Sequence, residues 1–194
     1  FVRTASGQTT GRGQNFTEEE LELIKSLDSV DYLAPIVKAS QEVNYRSISN
    51  IIALVGSNAD FAAINDWNNK SGSFITQNDV NDGTKVCVLG LTNSRRFFGA
   101  ENPIGKKLRI NGVPHLVIGV LEPKGLTPGG RDQDDFILLP YTSLNRLNFR
   151  PDLSNVVSVL MSARSSDELE YAKFSIKKIL RETRSLKPGE DNFD

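Results

Sequence analysis

Residues 85–121 have the sequence KVCVLGLTNSRRFFGAENPIGKKLRINGVPHLVIGVL, and the order of its structural signals indicates the class of fold. The run Lys85–Leu89 is nearly all apolar, which is typical of a strand buried on both faces. A short helical segment follows and ends at Gly99, where glycine supplies the left-handed backbone of a helix terminus. Asn111-Gly112 then separates two apolar runs, which predicts a tight β-hairpin. Because strands and a helix alternate with no catalytic residue type in the ordered positions, this stretch favours a structural or coupling module.

Helices with capping signals are predicted near both ends of the chain. Thr17 and Glu20 have the spacing of a capping box, and the helix that they start should end near Ser29. Ser165 and Glu168 repeat this spacing before a second helix. The apolar positions of that second helix fall on one stripe and are Leu169, Ala172, Ile176, Ile179 and Leu180. Both helices are expected to cover one face of a shared sheet.

Strands dominate the prediction for the segment that follows the first helix. Tyr32–Lys38 is the first strand, and Pro35 predicts an edge or a bulge there because proline cannot donate to a sheet ladder. Residues 41–55 supply two more strands. Asp60 is expected to cap a short helix, and residues 68–73 form a polar turn that makes a natural boundary.

These elements together predict an α+β fold with two subdomains. Residues 1–73 join residues 152–194 in an open-faced α/β sandwich, which the strand at residues 156–163 completes. Residues 74–151 form an inserted, mostly β subdomain with a helix that Thr92 caps.

Charge and apolar run lengths exclude several classes of function. The 194 residues include 23 basic and 24 acidic ones, and the net charge of -1 argues against nucleic acid as a partner. The longest apolar runs, Ile51–Val55 and Val117–Leu121, fall far short of the roughly 20 residues that cross a bilayer. The chain begins with Phe1 rather than Met, so we expect it to derive from a longer or processed protein.

The residue types that carry most enzyme chemistry are scarce in this chain. With one cysteine, an internal disulfide and a multi-cysteine metal site are excluded, and Cys87 between two valines is expected to be a small buried hydrophobe. His115, the single histidine, lacks a nearby partner pattern and is interpreted as a structural or surface residue. We therefore predict no catalytic residue, no cofactor-binding residue and no metal ligand.

Two loops have compositions that occur in ligand sites. Asp132, Asp134 and Asp135 offer clustered carboxylates for Ca²⁺, but without the EF-hand spacing the loop is expected to be solvated. Residues 125–130 are rich in glycine but lack the Gly-Lys-Ser/Thr ending and the following helix of a phosphate-binding loop. Neither feature predicts a binding site.

Several short segments, in this order, resemble the periplasmic core domain of MacB-type ABC transporter permeases, a group related to FtsX. They are LVG at 54–56, Trp67 with GSFITQND at 72–79, VLG at 88–90, FG at 98–99, NPIGK at 102–106, VIGVL at 117–121, DFILLP at 135–140 and RSLKPGEDNFD at 184–194. The resemblance runs over most of residues 15–194 and implies the same two-part layout, with the first subdomain similar to the porter modules of efflux pumps.

The resemblance also implies a function. Such permeases act as homodimers embedded in the bacterial inner membrane, and a separate cytoplasmic domain hydrolyses ATP. Their periplasmic or extracellular domain passes the motion of the membrane helices to a periplasmic adaptor protein. For this chain we therefore expect a role in export by mechanotransmission. The polarity and length of the loops at residues 76–84 and 124–134 predict that they dock the partner.

The residues that match the family motifs are interpreted as maintaining the fold, with glycine for tight turns, phenylalanine for the core and proline for a fixed turn. They are Gly90, Phe98, Gly99, Asn102, Pro103, Gly105, Gly119, Asp135 and Pro140. Trp67, the single tryptophan, is either an exposed anchor for a partner or a core residue.

A second hypothesis from another class remains open. Related permeases handle lipoproteins or antimicrobial peptides, so the domain could instead recognise a peptide, antibiotic or lipoprotein directly. An apolar groove between the subdomains would favour this ligand-binding or sensing role, whereas polar facing walls would favour coupling alone.

Overall fold

The computed structural model describes residues 2–3, 15–147, 156, 158–163, 165–187 and 191. Helices and strands contribute comparably, which confirms the α+β class. The strands are β1 (Val2–Arg3), β2 (Tyr32–Tyr45), β3 (Ile48–Ser57), β4 (Asn69–Gly72), β5 (Val86–Leu89), β6 (Lys107–Ile110), β7 (Val113–Leu121), β8 (Ile137–Pro140) and β9 (Ser158–Ala163). The helices are α1 (Glu18–Lys25), α2 (Asp60–Asn65), α3 (Gln77–Asp82), α4 (Leu91–Phe98), α5 (Tyr141–Leu147) and α6 (Ser166–Thr183).

Six of the strands pair in a closed ring. β2 pairs with β3, and the ring then continues through β8, β5, β7 and β6. It closes where β6 pairs with β2 at Val43↔Ile110. β9 extends the sheet along the first part of β2, β1 adds to β9, and β4 lies along β7.

Three of these pairings cross the predicted boundary at residues 73/74. The β2–β6, β3–β8 and β4–β7 ladders each join a strand of the first 73 residues to a strand of the following segment. The sheet is therefore continuous across that boundary, while the division into two subdomains stays a prediction.

The β6–β7 hairpin forms where it was predicted. Asn111 and Gly112 have φ angles of 47° and 77°, and two successive residues with positive φ are the signature of the tight turn that matches strand twist. The connection between β6 and β7 is therefore encoded locally by these two residues.

The prediction for the first strands was wrong in its boundaries. β2 is one strand of 14 residues rather than two strands. It changes partner beside Pro35, since residues 32–36 pair with β9 and pairing with β3 begins at Val37. Residues 69–72 form strand β4 instead of a polar turn.

The helix predictions also needed correction. The capping box of Thr17 and Glu20 is present, but α1 ends at Lys25 rather than near Ser29. Asp60 does not cap α2; its carboxylate accepts a hydrogen bond from the backbone amide of Leu33 instead. Thr92 lies inside α4, whose N-cap is Gly90, and α3 and α5 were not predicted.

The core is divided by the sheet into two clusters. Within β5, Cys87 and Leu89 belong to a cluster that is lined by the strands of the ring, whereas Val88 belongs to a second cluster with Phe61 of α2. Cys87, Val88 and Leu89 are all fully buried, so the prediction that this strand is buried on both faces is confirmed. In the part of the chain that the structure describes, no helix is both long and apolar enough to cross a membrane.

Candidate functional site

Two of the motif glycines are required by close backbone approach. A Cβ atom at Gly90 would collide with the carbonyl oxygen of Asp134, and one at Gly119 would collide with the carbonyl oxygen of Ser73. Gly90 also donates its amide to the carbonyl of Phe136 at 3.0 Å. These two positions hold strands and loops together and offer no group to a ligand.

The motif residues between 98 and 105 build the connection from α4 to β6. The ring of Phe98 packs on Tyr45 with centroids 4.3 Å apart, and Gly99 ends the helix with a φ of 58°. The remaining three residues form a tight turn. Asn102 accepts a hydrogen bond from the amide of Ile104 at 3.1 Å, and the carbonyl of the buried Pro103 accepts one from the amide of Lys106. Gly105 has a φ of 81°.

The acidic loop is not the solvated loop that the sequence predicted. Asp134 is only 5% exposed and accepts hydrogen bonds from the amides of Lys124 and Gly125 at 2.8 and 3.0 Å. Asp132 accepts from the hydroxyl of Thr92 at 2.7 Å. These carboxylates can be buried because they accept hydrogen bonds from nearby backbone amides of the loop.

Asp135 is engaged in a bidentate ion pair. The two guanidinium nitrogens of Arg96 lie 2.6 and 2.9 Å from its carboxylate oxygens. These hydrogen bonds hold the pKa of Asp135 below its ordinary value, so the carboxylate stays charged. Pro140, the last motif residue, ends β8 opposite Ser57.

Cys87 has the environment of a structural thiol. Its side chain is fully buried, and burial raises the pKa of the thiol. We expect the folded chain not to react with a thiol reagent such as DTNB and to react with one equivalent after denaturation, because the reactive species is the thiolate. Stoichiometric labelling without denaturant would contradict this burial.

His115 is buried and hydrogen-bonded. Its Nδ1 lies 3.0 Å from the carbonyl oxygen of Val113 and therefore carries the proton, while Nε2 lies 3.5 Å from the hydroxyl of Ser143 and can accept from it. Burial is the main cause that lowers the pKa of His115, although the hydrogen bond to Val113 opposes it. The imidazole is consequently neutral in the folded chain.

A neutral buried histidine makes stability depend on pH. The contribution is complete above pH 6.5, the ordinary pKa, and is lost as the pH falls below it, because the unfolded chain then binds a proton that the folded chain resists. We expect the unfolding free energy to fall by at most about 1.4 kcal/mol per pH unit in this window. Urea titrations of the wild type and of His115→Gln measure it, and an equal slope in both would contradict the assignment.

One large groove lies on the sheet face beside α2. Its volume is about 890 Å³. The floor is formed by β2, β3 and β9, one wall by α2, Trp67 and Phe136, and the other wall by residues 127–135. The lining mixes apolar and polar side chains: Ile36, Lys38, Ala39, Ser40, Ala53, Leu54, Val55, Phe61, Asn65, Trp67, Thr127, Arg131, Asp132, Gln133, Asp135, Phe136, Ser158 and Leu160.

Trp67 is half-buried in the wall of this groove. Its ring stacks on Phe61 at 6.0 Å and tilts against Phe136 at 5.1 Å, and its indole nitrogen donates to the carbonyl of Glu122. The ring therefore packs in the second core cluster while one side borders the groove. Its role as a partner contact stays a prediction.

Sequence reasoning missed two features. One is the buried ion pair of Glu20 and Arg184, since Glu20 was interpreted only as a capping residue. The other is the pair of cations in the groove, Lys38 and Arg131. The acid at Glu20 inside an apolar stripe was a usable signal, because a buried carboxylate requires a partner. The groove cations had no local signal.

Comparison with known proteins identifies the family. A family profile described as MacB-like periplasmic core domain matches residues 1–179. Macrolide export ATP-binding/permease protein MacB of Syntrophobacter fumaroxidans is 35% identical over 166 residues, which are 84% of this chain and 23% of that protein. The chain thus spans about a quarter of the length of this relative.

Two solved structures share the fold. The periplasmic region of MacB from Actinobacillus actinomycetemcomitans matches with a TM-score of 0.78 at 22% identity, over 91% of this chain and 78% of that one. The extracellular domain of the noncanonic ABC-type transporter YknZ from Gram-positive bacteria matches with a TM-score of 0.75 at 23% identity, over 89% and 86% of the two chains. The chain belongs to the family of MacB-like periplasmic core domains, the extracytoplasmic part of MacB-like ABC transporter permeases.

Proposed function

We propose that this domain transmits ATP-driven motion of a permease to a partner or cargo outside the inner membrane, and so serves export. It works in a homodimeric transporter whose ATPase is a separate cytoplasmic domain, and its partner is a periplasmic adaptor protein. We further propose that the domain itself carries out no catalysis and binds no cofactor. This proposal requires a stiff body with both ends of the fold fixed to the same sheet.

The observation that carries the proposal is the buried contact between α1 and the end of α6. The guanidinium of Arg184 donates to the two carboxylate oxygens of Glu20 at 2.6 and 2.9 Å, and both side chains are only 3% exposed. Thr183 also donates to Glu20 at 3.2 Å. At the other end of the fold, Val2 of β1 pairs with Ala163 of β9. We infer that a displacement of the end of α6 is passed to α1, and that a displacement of β1 is passed to the sheet through β9.

The same carboxylate fixes α1 to its own N-terminal turn. Glu20 accepts from the backbone amide of Thr17 at 2.9 Å, which completes the capping box. The guanidinium of Arg184 also lies over the ring of Phe16, 5.3 Å from its centroid. One buried ion pair thus joins the start of α1, the end of α6 and Phe16, which precedes α1 in the chain.

Weakening this joint in the full-length transporter tests the proposal. With Arg184→Met, we expect ATP hydrolysis to continue while export falls, because motion at the end of α6 is no longer passed to α1. Export of a macrolide, the cargo named for the MacB relatives, is a suitable readout. The double variant Glu20→Leu/Arg184→Met removes the unpaired charge and should restore export.

A surface pair provides the matched control. Glu170 and Lys173 lie on the exposed side of α6 at 2.6 Å, and Glu170→Gln should change neither ATP hydrolysis nor export. Export that is unaffected by Arg184→Met, in a variant shown to fold, would refute the role of the domain in coupling.

We place the adaptor contact at the hairpin of residues 124–134. Leu126 near its tip is 67% exposed and is therefore accessible to a partner. The other segment proposed from the sequence, residues 76–84, contains helix α3. Photo-crosslinking from position 126, compared with position 77, distinguishes the two; cross-links to an adaptor from neither position would overturn both.

A further inference from the structure

We propose that the groove beside Trp67 binds an amphipathic anion, a small molecule with an apolar body and a carboxylate or similar group. This site is additional to force transmission. Its test uses ligand binding by the 194-residue chain alone. Failure of binding and failure of coupling are therefore separate results.

The shape of the groove suits a small molecule. Its volume of about 890 Å³ lies within the range of small-molecule sites, and half of its lining side chains are apolar. Small side chains on the floor leave this space. Ser40 pairs with Ala53, and Ser158 lies opposite Ile36. Larger residues at these positions would fill it.

The floor does not favour an extended peptide. Its lining residues pair with one another within the floor, since Lys38 pairs with Val55 and Ile36 pairs with Ser158. The groove therefore lies over the faces of these paired strands, whereas a peptide that adds to a sheet binds along a strand edge. A ligand held by side chains is the better match.

The aromatic wall is fixed before any ligand arrives. The indole nitrogen of Trp67 is hydrogen-bonded to the carbonyl of Glu122 at 2.9 Å, and the ammonium of Lys124 lies 4.5 Å from the ring centroid. Phe61 and Phe136 pack against the same ring. A preformed apolar wall lowers the ordering cost of binding.

The opposite wall is also held in place. The carbonyl of Arg131 accepts from the amide of Thr127 at 2.9 Å, and Leu126 pairs with Asp132 in an isolated bridge. At the base of this hairpin, Asp134 accepts from two backbone amides. These bonds position Thr127 and Arg131 in the lining.

The charges in the groove favour an anion. The two lining carboxylates are already engaged, Asp135 with Arg96 and Asp132 with Thr92 and the amide of Asp134. Lys38 and Arg131 are exposed, and among the described residues neither side chain has an ion pair or a hydrogen bond. An incoming carboxylate would be the partner of these cations.

Trp67 is the single tryptophan of the chain, so its fluorescence reports directly on this groove. The probe is decanoate below its micelle-forming concentration, titrated into the folded chain. We expect a saturable change in fluorescence, and binding at least about tenfold weaker for decyltrimethylammonium, which has the same chain length and the opposite charge. Absence of a saturable change with decanoate, or equal binding of the two probes, would overturn the proposal.

Three variants locate the binding. Lys38→Gln should weaken decanoate binding about tenfold by removing one charge-assisted contact, and Ala53→Phe should abolish it by filling the floor. Lys107→Gln, which removes an exposed lysine outside the groove lining, should leave it unchanged. Circular dichroism checks that each variant is folded. If Lys38→Gln and Ala53→Phe both bind decanoate like the wild type, the ligand lies elsewhere and the assignment is wrong.

Discussion

Replacing Arg184 with methionine is expected to lower the free energy of unfolding by about 3–5 kcal/mol, because it leaves the carboxylate of Glu20 buried without its counter-charge. Glu20→Gln should also destabilise the fold, because it removes the negative charge that faces the guanidinium of Arg184, although glutamine can still complete the capping box. Urea denaturation followed by circular dichroism measures both variants.

The pair behaves as a unit in this prediction. The double variant Glu20→Leu/Arg184→Met should recover most of the loss, since an apolar pair avoids the cost of burying a lone charge. Glu170→Gln, on the exposed side of α6, should change the stability little. Equal and additive losses in the single and double variants would show that the two side chains do not interact.

The same pair gives stability a dependence on acid. Burial alone would raise the pKa of Glu20, but the hydrogen bonds from Arg184 and from the amide of Thr17 outweigh it and the pKa is lowered. The stabilisation is therefore complete above the ordinary value of 4.5 and is lost as the pH falls through the lowered one. The loss of stability at acid pH should be smaller in the double variant Glu20→Leu/Arg184→Met.

Alanine at Gly119 or at Gly90 is expected to destabilise the fold by about 3 kcal/mol or more, since the new methyl group would be driven into a backbone carbonyl that cannot move independently. The carbonyl belongs to Ser73 in the first case and to Asp134 in the second. Thermal or urea denaturation measures the loss, and incomplete folding would be the extreme form of the same result.

Gly129 provides the matched control for these variants. The nearest atom to a Cβ there is 3.9 Å away, so Gly129→Ala should be tolerated. If Gly119→Ala and Gly90→Ala were as stable as Gly129→Ala, the interpretation of these motif glycines as packing residues would be wrong.

The features that the sequence predicted correctly are local. The turn at Asn111-Gly112, the capping box of Thr17 and Glu20, and the buried strand β5 each depend on a few adjacent residues. Helix α3 had such a signal too, because Thr76 and Asp79 form a capping box that was overlooked.

The features that were missed depend on contacts between distant parts of the chain. The change of partner in β2 is set by strands β3 and β9, which no local pattern of β2 encodes. Glu20 and Arg184 are 164 positions apart, and Lys38 and Arg131 line the same groove only because the sheet packs against the hairpin. The family motifs predicted the fold correctly because many of their residues form local turns. The ion pair and the groove could be identified only from the structure.

Distances between labels in the full-length transporter test the central claim, that this domain moves as one stiff body, most directly. Spin labels at Lys25→Cys and Lys107→Cys lie on exposed residues of α1 and β6, and the buried Cys87 should stay unlabelled. In transporters where one labelled copy is diluted among unlabelled copies, we expect the distance within the domain to stay the same with and without ATP. With the single label at Lys107→Cys in both copies, the distance between domains should change by several ångströms. A changing distance within the domain, or an unchanged distance between the copies, would contradict the account.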